Sequence, residues 1–239
     1  MPWIVALMAA RLLLAAPPDP DPGLIAHYSF DLCDGRDALD GQSTATVYGA
    51  HTCRCGVVGE ALAFDGRSTY LELDGPINAY FTTSDFTLSF YLKPTGRQPL
   101  AQALLVKADD CSLDGSVVLS YASATRTLDT HLHESAHKSY RHLDYTLLAE
   151  GWLHYTLVRE GGEARTYLNG ELQRETRRCS GVDLTSAAPL RFGRPHCRTS
   201  PFRGLLDELR VYDRALTPAE VRAVYRRAPV ESAEADCLS

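Results

Sequence analysis

Short stretches of alternating apolar and polar residues, each ended by turn-forming residues, constrain the fold of this chain more than any other feature. The clearest is Phe86–Leu92, in which Phe86, Leu88, Phe90 and Leu92 alternate with other residues. Because side chains point to opposite faces along a strand, this pattern predicts a strand with one buried apolar face. Similar stretches recur at intervals of about 8–12 residues, which is typical of a β-sandwich or jelly roll.

The remaining strands and a single helix follow from the same signals. Asn169-Gly170 predicts a tight hairpin turn, since both residues tolerate positive φ angles. Thr217 is a candidate N-cap, and Pro218 and Glu220 complete a helix-start signal, which predicts a helix over residues 218–226. Further strands are predicted at Leu24–Phe30, Ala61–Phe64, Tyr70–Leu73, Ala103–Val106, Val117–Tyr121, Thr127–Leu132, Trp152–Val158, Arg165–Leu168, Leu190–Gly193 and Leu205–Tyr212. The sequence therefore predicts an all-β fold, a two-sheet antiparallel jelly-roll sandwich with one short C-terminal helix.

The two ends of the chain differ from its body in composition. Residues 1–16 are mostly apolar and predict a secretory signal peptide, although a true start at Met8 is the alternative. Residues 17–23 form a linker rich in Pro and Asp, residues 24–228 form the folded domain, and residues 229–239 form an acidic tail. No later stretch approaches the roughly 18 apolar residues that a membrane-spanning helix needs, so no span is predicted.

Charge and cysteine content narrow the class of protein. The formal net charge of −6 argues against a general affinity for nucleic acid. No pair of cysteines has the spacing of a zinc knuckle, so disulfide bonds and a secreted protein, extracellular or periplasmic, are predicted. The cysteines are Cys33, Cys53, Cys55, Cys111, Cys179, Cys197 and Cys237.

An odd number of cysteines cannot all pair within one chain. We expect Cys33 to pair with Cys53 or Cys55 and so to join the first strand to the following loop. We expect Cys179 to pair with Cys197, because both flank the apolar run near Leu190 and enclose a loop of moderate length. Cys237 then remains as the free thiol.

A resemblance to a known family rests on several motifs in order. The segment Phe202–Val221 reads FRGLLDELRVYDRALTPAEV and resembles the closing strand and helix of laminin-G-like and pentraxin-like jelly rolls. Ala63–Gly66, Asp85–Pro94, Trp152–Tyr155 and Tyr167–Gly170 are similar to the motifs that precede it in such domains. The resemblance implies one concanavalin A-like domain, with Phe64, Phe90, Trp152 and Phe192 packed between its two sheets.

The resemblance also implies a function, which is the binding of a glycan or an extracellular protein without catalysis. The alternatives are a structural or adhesive domain without a small ligand, and a degenerate glycoside hydrolase. Hydrolysis needs two suitably spaced carboxyl groups, which on a strand usually occur in an E-x-D-x-E pattern. Glu72 and Asp74 supply only the first two acids of this pattern, because Pro76 stands where the third would be. A glycan-binding domain should expose aromatic side chains, for which the candidates are Tyr80, Phe81, Tyr121 and Tyr140.

Calcium is the cofactor that the resemblance suggests. Asp109, Asp110 and Asp114 lie where pentraxin-like domains place calcium-binding acids, but Arg194-Pro195-His196-Cys197 stands where such relatives carry further acids or amides. The resemblance also offers a second calcium site, between Asp31 and Asp207, since the terminal strands of such relatives run side by side. The favoured interpretation from sequence is that Asp31 caps a turn and that Asp207 accepts backbone hydrogen bonds or pairs with a nearby arginine such as Arg210.

A group of histidines offers nitrogen ligands for a metal. His131, His133, His137 and His142 fall on one predicted hairpin and could hold zinc or copper. Lys138 and Arg141 lie among them in sequence and would repel a cation. A solvated hairpin is therefore the favoured interpretation from sequence.

Overall fold

The computed structural model describes residues 21–39, 43–108, 111–143, 145–146 and 150–233. The predicted signal peptide and most of the linker, together with the end of the acidic tail, lie outside the described residues. The strands are β1 (Leu24–Tyr28), β2 (Thr44–Tyr48), β3 (Thr52–Cys55), β4 (Glu60–Asp65), β5 (Tyr70–Asp74), β6 (Phe86–Pro94), β7 (Gln102–Lys107), β8 (Ser116–Ala122), β9 (Thr127–His133), β10 (Ser139–Tyr140), β11 (Tyr145–Thr146), β12 (Leu153–Glu160), β13 (Glu163–Leu168), β14 (Glu171–Arg177), β15 (Arg191–Phe192), β16 (Ser200–Pro201) and β17 (Arg203–Tyr212). Among the described residues the single α-helix is α1 (Pro218–Arg227), and short 3₁₀ turns lie at Gly75–Tyr80 and Val230–Ser232.

The strands form two sheets that face each other. The eight-stranded sheet has the order β14-β13-β12-β6-β17-β4-β3, with β1 also paired to β17. The nine-stranded sheet has the order β10-β9-β8-β7-β15-β5-β2, with β11 beside β9 and β16 beside β7. Apart from the short parallel contact of β16 with β7, the pairings are antiparallel. The predicted jelly-roll sandwich is confirmed, and the first and last strands run side by side as expected.

Aromatic side chains fill the space between the sheets. Phe90 of β6 meets Phe192 of β15 edge to face, with ring centroids 5.3 Å apart. It also packs against Tyr155 of β12, and Phe64 packs against Phe202. Each buried aromatic ring removes a large apolar area from water. The Phe90–Phe192 contact joins the two sheets, whereas the Phe90–Tyr155 contact joins neighbouring strands of one sheet.

Trp152 does not lie between the sheets, and its prediction as a core residue there is wrong. Leu153 joins the main core, whereas Trp152 packs on the outer side of the eight-stranded sheet with Tyr91, Val230 and Ala233. Neighbouring residues of an extended segment point to opposite faces, so only one of the two can reach the opposite sheet. Residues 229–233, which the sequence placed in the tail, thus pack on the folded domain.

Helix α1 covers part of the same outer face. Its side chains Val221 and Val224 are buried against Val158, Tyr167 and Tyr212 of the sheet. In the part of the chain that the structure describes, only the eight-stranded sheet carries an α-helix on its outer face. Within the same described ranges, no α-helix packs on the outer face of the nine-stranded sheet.

The predicted helix start is confirmed and leads to a testable prediction. The Thr217 side chain accepts a hydrogen bond from the Glu220 backbone N–H, and the Glu220 carboxylate accepts one from the Thr217 N–H. Replacing Thr217 by Ala should lower the free energy of unfolding by about 1 kcal/mol, the usual value of an N-cap. Urea unfolding measures this loss, and Thr125→Ala on an exposed turn is the control; equal stability of the two variants would contradict the capping role.

Two disulfide bonds are present among the described residues. Cys33 bonds to Cys53, one of the two predicted pairings. Cys197 bonds to Cys111 rather than to Cys179, so that prediction is wrong. Cys179 follows β14 at the edge of one sheet, whereas the segment after β15 lies beside the end of β7 in the other sheet, within reach of Cys111. Cys55 and Cys179 are free and exposed, and Cys237 lies outside the described residues.

Over the described ranges given above, no helix is long and apolar enough to cross a membrane.

Candidate binding face

Strand register brings residues that are distant in sequence into one row across the outer face of the nine-stranded sheet. Each member of the row is the direct neighbour of the next on the adjacent strand. The row runs from β2 to β9 through Thr46, Glu72, Arg191, Val106, Val118 and His131. It therefore carries an acid, a guanidinium and an imidazole on a surface that is free of α-helix in the part of the chain that the structure describes.

Two stacked tyrosines stand beside this row at the β2 edge. Tyr48 and Tyr70 are direct cross-strand neighbours, and their rings lie 4.5 Å apart and within 8° of parallel. The guanidinium of Arg194 lies over the Tyr70 ring, 5.2 Å from its centroid. Tyr70 thus contacts both Tyr48 and Arg194, while Tyr48 itself is 38% exposed.

Ion pairs fix the polar groups next to the tyrosines. Arg191 Nε lies 2.5 Å from the Glu72 carboxylate, and Arg194 Nη1 lies 3.9 Å from it. The Thr46 hydroxyl donates to Asp74 at 2.5 Å. The Glu72 charge raises the pKa of the exposed Tyr48 hydroxyl, so this group remains a neutral hydrogen-bond donor at physiological pH. We call Tyr48, Tyr70, Glu72, Arg191 and Arg194 the tyrosine–arginine patch.

Two cavities flank Arg194. One of about 250 Å³ is lined by Arg67, Tyr70, Arg194 and Pro201, among others. The second, of about 320 Å³, includes Arg191, Arg194 and His196 in its lining and lies beside the Cys111–Cys197 bridge. An aromatic ring face, donors and acceptors held by ion pairs, and shallow cavities together make a surface suited to a small polar ligand.

Comparison with known proteins identifies the family. Residues 65–222 match the sequence model of the concanavalin A-like lectin/glucanases superfamily. The chain belongs to this superfamily. Comparison with curated proteins finds no match.

Solved structures of binding domains share the superfamily fold. Domain 4 of AbnA, an extracellular arabinanase of Geobacillus stearothermophilus in complex with arabinotriose, has a TM-score of 0.64 and 24% identity over 84% of this chain and 98% of its own. The binding domain of Paraclostridial Mosquitocidal Protein 1 has a TM-score of 0.70 and 17% identity over 86% of this chain and 52% of its own. The receptor-binding domain of a botulinum neurotoxin C/D mosaic serotype has a TM-score of 0.69 and 12% identity, covering 86% of this chain. This chain spans about half the length of the toxin domains.

Two of the four aromatic residues that the sequence suggested for ligand binding are buried in this superfamily member. Phe81 is fully buried and meets Phe86 edge to face. Tyr140 is also fully buried, and its hydroxyl donates to the Gly162 carbonyl at 2.7 Å. The prediction of exposed rings is therefore wrong for Phe81 and Tyr140, because both side chains complete the core.

The other two predicted ligand-binding aromatics remain near the surface. Tyr121 is largely buried, but it lines a cavity of about 390 Å³ at one end of the sandwich together with Lys93 and Arg126. Tyr80 is half-buried in the 3₁₀ turn after β5. Ligand binding by these two residues stays a prediction.

The two acids of the predicted terminal calcium site both hold the turn that precedes β4. Asp207 Oδ2 accepts hydrogen bonds from the Val57 and Val58 N–H groups at 2.7 and 3.1 Å, and Asp31 Oδ1 accepts one from the Glu60 N–H at 3.1 Å. This is the interpretation of Asp207 that the sequence favoured, and burial raises the pKa of this carboxyl group to about 7. A Cβ at Gly56 would lie 2.4 Å from Asp207 Oδ2 and 2.9 Å from the Val58 carbonyl oxygen, so a larger residue there would displace these groups.

Calcium binding by these acids stays a prediction. Asp109 and Asp110 lie outside the described residues, and Asp114 is exposed with its backbone N–H donating to Ser112.

Proposed function

We propose that this protein is a non-catalytic carbohydrate-binding domain that acts outside the cell, and that the tyrosine–arginine patch is its sugar-binding surface. The observation that carries the proposal is the Tyr48–Tyr70–Arg194 stack. One face of Tyr48 is covered by Tyr70, which holds the ring in place while the side chain stays partly exposed. A rigid aromatic ring loses little conformational entropy on binding, and it offers a flat apolar surface to the C–H face of a sugar.

The polar members of the patch supply hydrogen bonds around that ring. Arg191 is a donor held in place by Glu72, Arg194 lies over Tyr70 with its guanidinium 3.9 Å from the same carboxylate, and Glu72 also retains acceptor capacity. The exposed Arg67 side chain at the neighbouring cavity adds positive charge. We therefore expect sugars that bear a carboxylate or sulfate to bind more tightly than neutral sugars of the same size.

The comparisons support this proposal at the level of binding domains. The arabinanase domain is a complex with arabinotriose, and a botulinum neurotoxin DC binding domain is a complex with SialylT. Another structure of a DC binding domain contains rat synaptotagmin II, so recognition of a cell-surface protein is the alternative. Two disulfide bonds are typical of proteins that fold in an oxidising compartment, which supports an extracellular or periplasmic location.

The carboxylates of the patch are arranged for binding rather than for hydrolysis. A glycosidase needs one carboxyl group that carries a proton for the leaving oxygen. Glu72 is paired with Arg191, and Asp74 accepts the Thr46 hydroxyl. Both carboxylates are thus engaged by neighbouring side chains of the same sheet face.

The proposal predicts a large effect of Tyr48 on sugar binding. A glycan array that includes arabino-oligosaccharides and sialylated glycans should first identify a bound sugar. Tyr48→Ala should then weaken binding of that sugar by about 2 kcal/mol, roughly thirtyfold in Kd, as expected for a central aromatic anchor. Calorimetric titration measures the change.

Tyr80→Ala is the matched control, since it removes a half-buried tyrosine that is not a member of the patch and lies in the 3₁₀ turn after β5. Unchanged affinity in Tyr48→Ala, with a loss in Tyr80→Ala, would contradict the placement of the site. An array without any bound glycan would contradict the sugar ligand and favour the protein partner.

A further inference from the structure

We infer that Asp129, His131 and His142 form a zinc-binding site at the opposite end of this sheet face from the tyrosine–arginine patch. The inference does not depend on the proposed sugar binding. It rests on geometry that the sequence could not supply, because His142 reaches the other two residues only through the fold of the chain around β10.

Strand alternation and the return of the chain bring the three side chains together. Asp129 and His131 are two residues apart on β9 and share its outer face, and His142 follows β10, which pairs with β9. Asp129 Oδ2 lies 2.9 Å from His131 Nε2, and Asp129 Oδ1 lies 3.7 Å from His142 Nδ1. One ligand atom from each residue can be chosen so that all lie within 4.8 Å of one another.

These separations suit a small tetrahedral cation. Zinc–nitrogen and zinc–oxygen bonds of about 2.0–2.1 Å place tetrahedral ligand atoms about 3.4 Å apart. The separations of 2.9 and 3.7 Å run to the two different oxygens of Asp129 and lie on either side of that value. Side-chain rotation within the 4.8 Å cluster would bring one carboxylate oxygen and both imidazoles to zinc distances. Two imidazoles and one carboxylate are a donor set that zinc accepts and that calcium, which prefers oxygen, does not favour.

Polar atoms at the cluster lack hydrogen-bond partners among the residues that the structure describes. These atoms are Asp129 Oδ1 and His131 Nδ1, and both are buried. Such buried atoms are uncommon in folded proteins and call for an explanation. A cation held between Asp129 and the two imidazoles would give the carboxylate oxygen its missing interaction.

The basic side chains that argued against a metal are engaged elsewhere. Lys138 is paired with Glu134 at 2.7 Å. Arg141 donates to the Ser139 hydroxyl and to the Ala136 carbonyl, at 3.0 and 2.6 Å. Neither charge therefore has to point at the three ligands, and the interpretation as an ordinary solvated hairpin loses its main support.

The remaining histidines of the hairpin have other places. The His133 ring is buried and stacks on His131 with centroids 5.5 Å apart, where it holds the orientation of the His131 ring. His137 is exposed and does not belong to the cluster. Three protein ligands leave one zinc position open, as in zinc sites that bind water or a substrate.

Calorimetric titration of the full chain with zinc chloride, after treatment with chelator, tests the inference. Cys55, Cys179 and Cys237 are first replaced by serine, because free thiols also bind zinc. We expect one zinc ion per chain. His142→Gln and Asp129→Asn should each weaken binding at least tenfold, whereas His137→Gln on the same hairpin should leave the affinity unchanged.

A spectroscopic readout separates ligation from an indirect effect. Cobalt in place of zinc should give visible absorption bands in the parent that are altered in His142→Gln. The His142 side chain is 68% exposed, so its replacement should not unfold the domain, and equal melting curves without metal verify this. The inference is overturned if the parent binds no zinc, or if His142→Gln and Asp129→Asn bind it as tightly as the parent.

Discussion

Replacing Cys111 and Cys197 together by serine should lower the free energy of unfolding by about 4–5 kcal/mol, a large share of the stability of an ordinary domain. This bridge encloses 86 residues of sequence, whereas the Cys33–Cys53 bridge encloses 20. In the chain-entropy description, a disulfide restricts the unfolded chain more when the enclosed loop is longer. Removing Cys33 and Cys53 should accordingly cost less, about 3 kcal/mol.

The two double variants are controls for each other. Single cysteine replacements are avoided because each would leave one more reactive thiol in addition to the exposed Cys55 and Cys179. Urea unfolding under non-reducing conditions gives both free energies, and peptide mapping verifies the pairings. A larger loss for the Cys33–Cys53 variant would contradict the chain-entropy argument, and a Cys179–Cys197 peptide would contradict the structure itself.

The pairing of Cys197 illustrates what the sequence leaves undetermined. Connectivity depends on which strands become neighbours, and cysteine positions alone do not decide this. Here β15 pairs with β7, and the loops that follow the two strands hold Cys197 and Cys111. Proximity along the chain favoured Cys179, which lies at the edge of the opposite sheet.

The predicted strands succeeded where large apolar side chains alternate, as in β6 and β12. The sequence missed β2 and β3 because their inward residues are small or weakly apolar. Ala45 is the buried residue of β2, and Cys53 fills the corresponding role in β3. Short strands with such residues give little periodic signal, although the neighbouring chain holds them in place.

The missed strand also explains why the candidate site was missed. Tyr48 lies on β2, and its stack with Tyr70 exists only because β2 pairs with β5. The sequence instead suggested Phe81 and Tyr140, whose rings both lie in the core. Periodicity shows that a strand has two faces, but it does not show which face meets solvent, and the misplacement of Trp152 has the same origin.

Lowering the pH from 7.5 to 4.5 should reduce the free energy of unfolding, in part because His154 resists protonation in the folded state. In the variant His154→Gln, this reduction should be smaller by about 3 kcal/mol. The imidazole is fully buried on the outer side of the eight-stranded sheet, between the rings of Tyr91 and Tyr225 at 4.6 and 5.6 Å. Its Nε2 lies 2.7 Å from the Ser89 hydroxyl. Burial, followed by the charge of Arg210, lowers the pKa of His154 to about 3.

The direction of the effect follows from the two protonation states. In the unfolded chain the imidazole takes up a proton near pH 6.5, while in the folded protein it stays neutral down to about pH 3. The unfolded state therefore binds more protons between these values, and the free energy of unfolding falls as the pH falls through this range. Because Tyr225 belongs to helix α1, protonation should first release the helix from the sheet.

Other groups titrate in the same range, so the comparison of variants is what isolates His154. Burial lowers the pKa of His133 to about 4, which acts in the same direction. The pKa of Asp207, which burial raises to about 7, acts in the opposite direction. Its contribution to the free energy of unfolding is present in acid and is lost as the pH rises from about 4 to 7.

Urea unfolding of the wild type, His154→Gln and the exposed-site control His137→Gln at both pH values measures the difference. Glutamine offers a hydrogen-bonding group to Ser89 but cannot take up a proton. On acidification, the free energy of unfolding of His154→Gln should therefore fall by about 3 kcal/mol less than that of the wild type or His137→Gln. Equal losses in all three proteins would show that His154 is protonated in the folded state as easily as in the unfolded chain, and that Tyr91, Tyr225 and Arg210 do not exclude its charge.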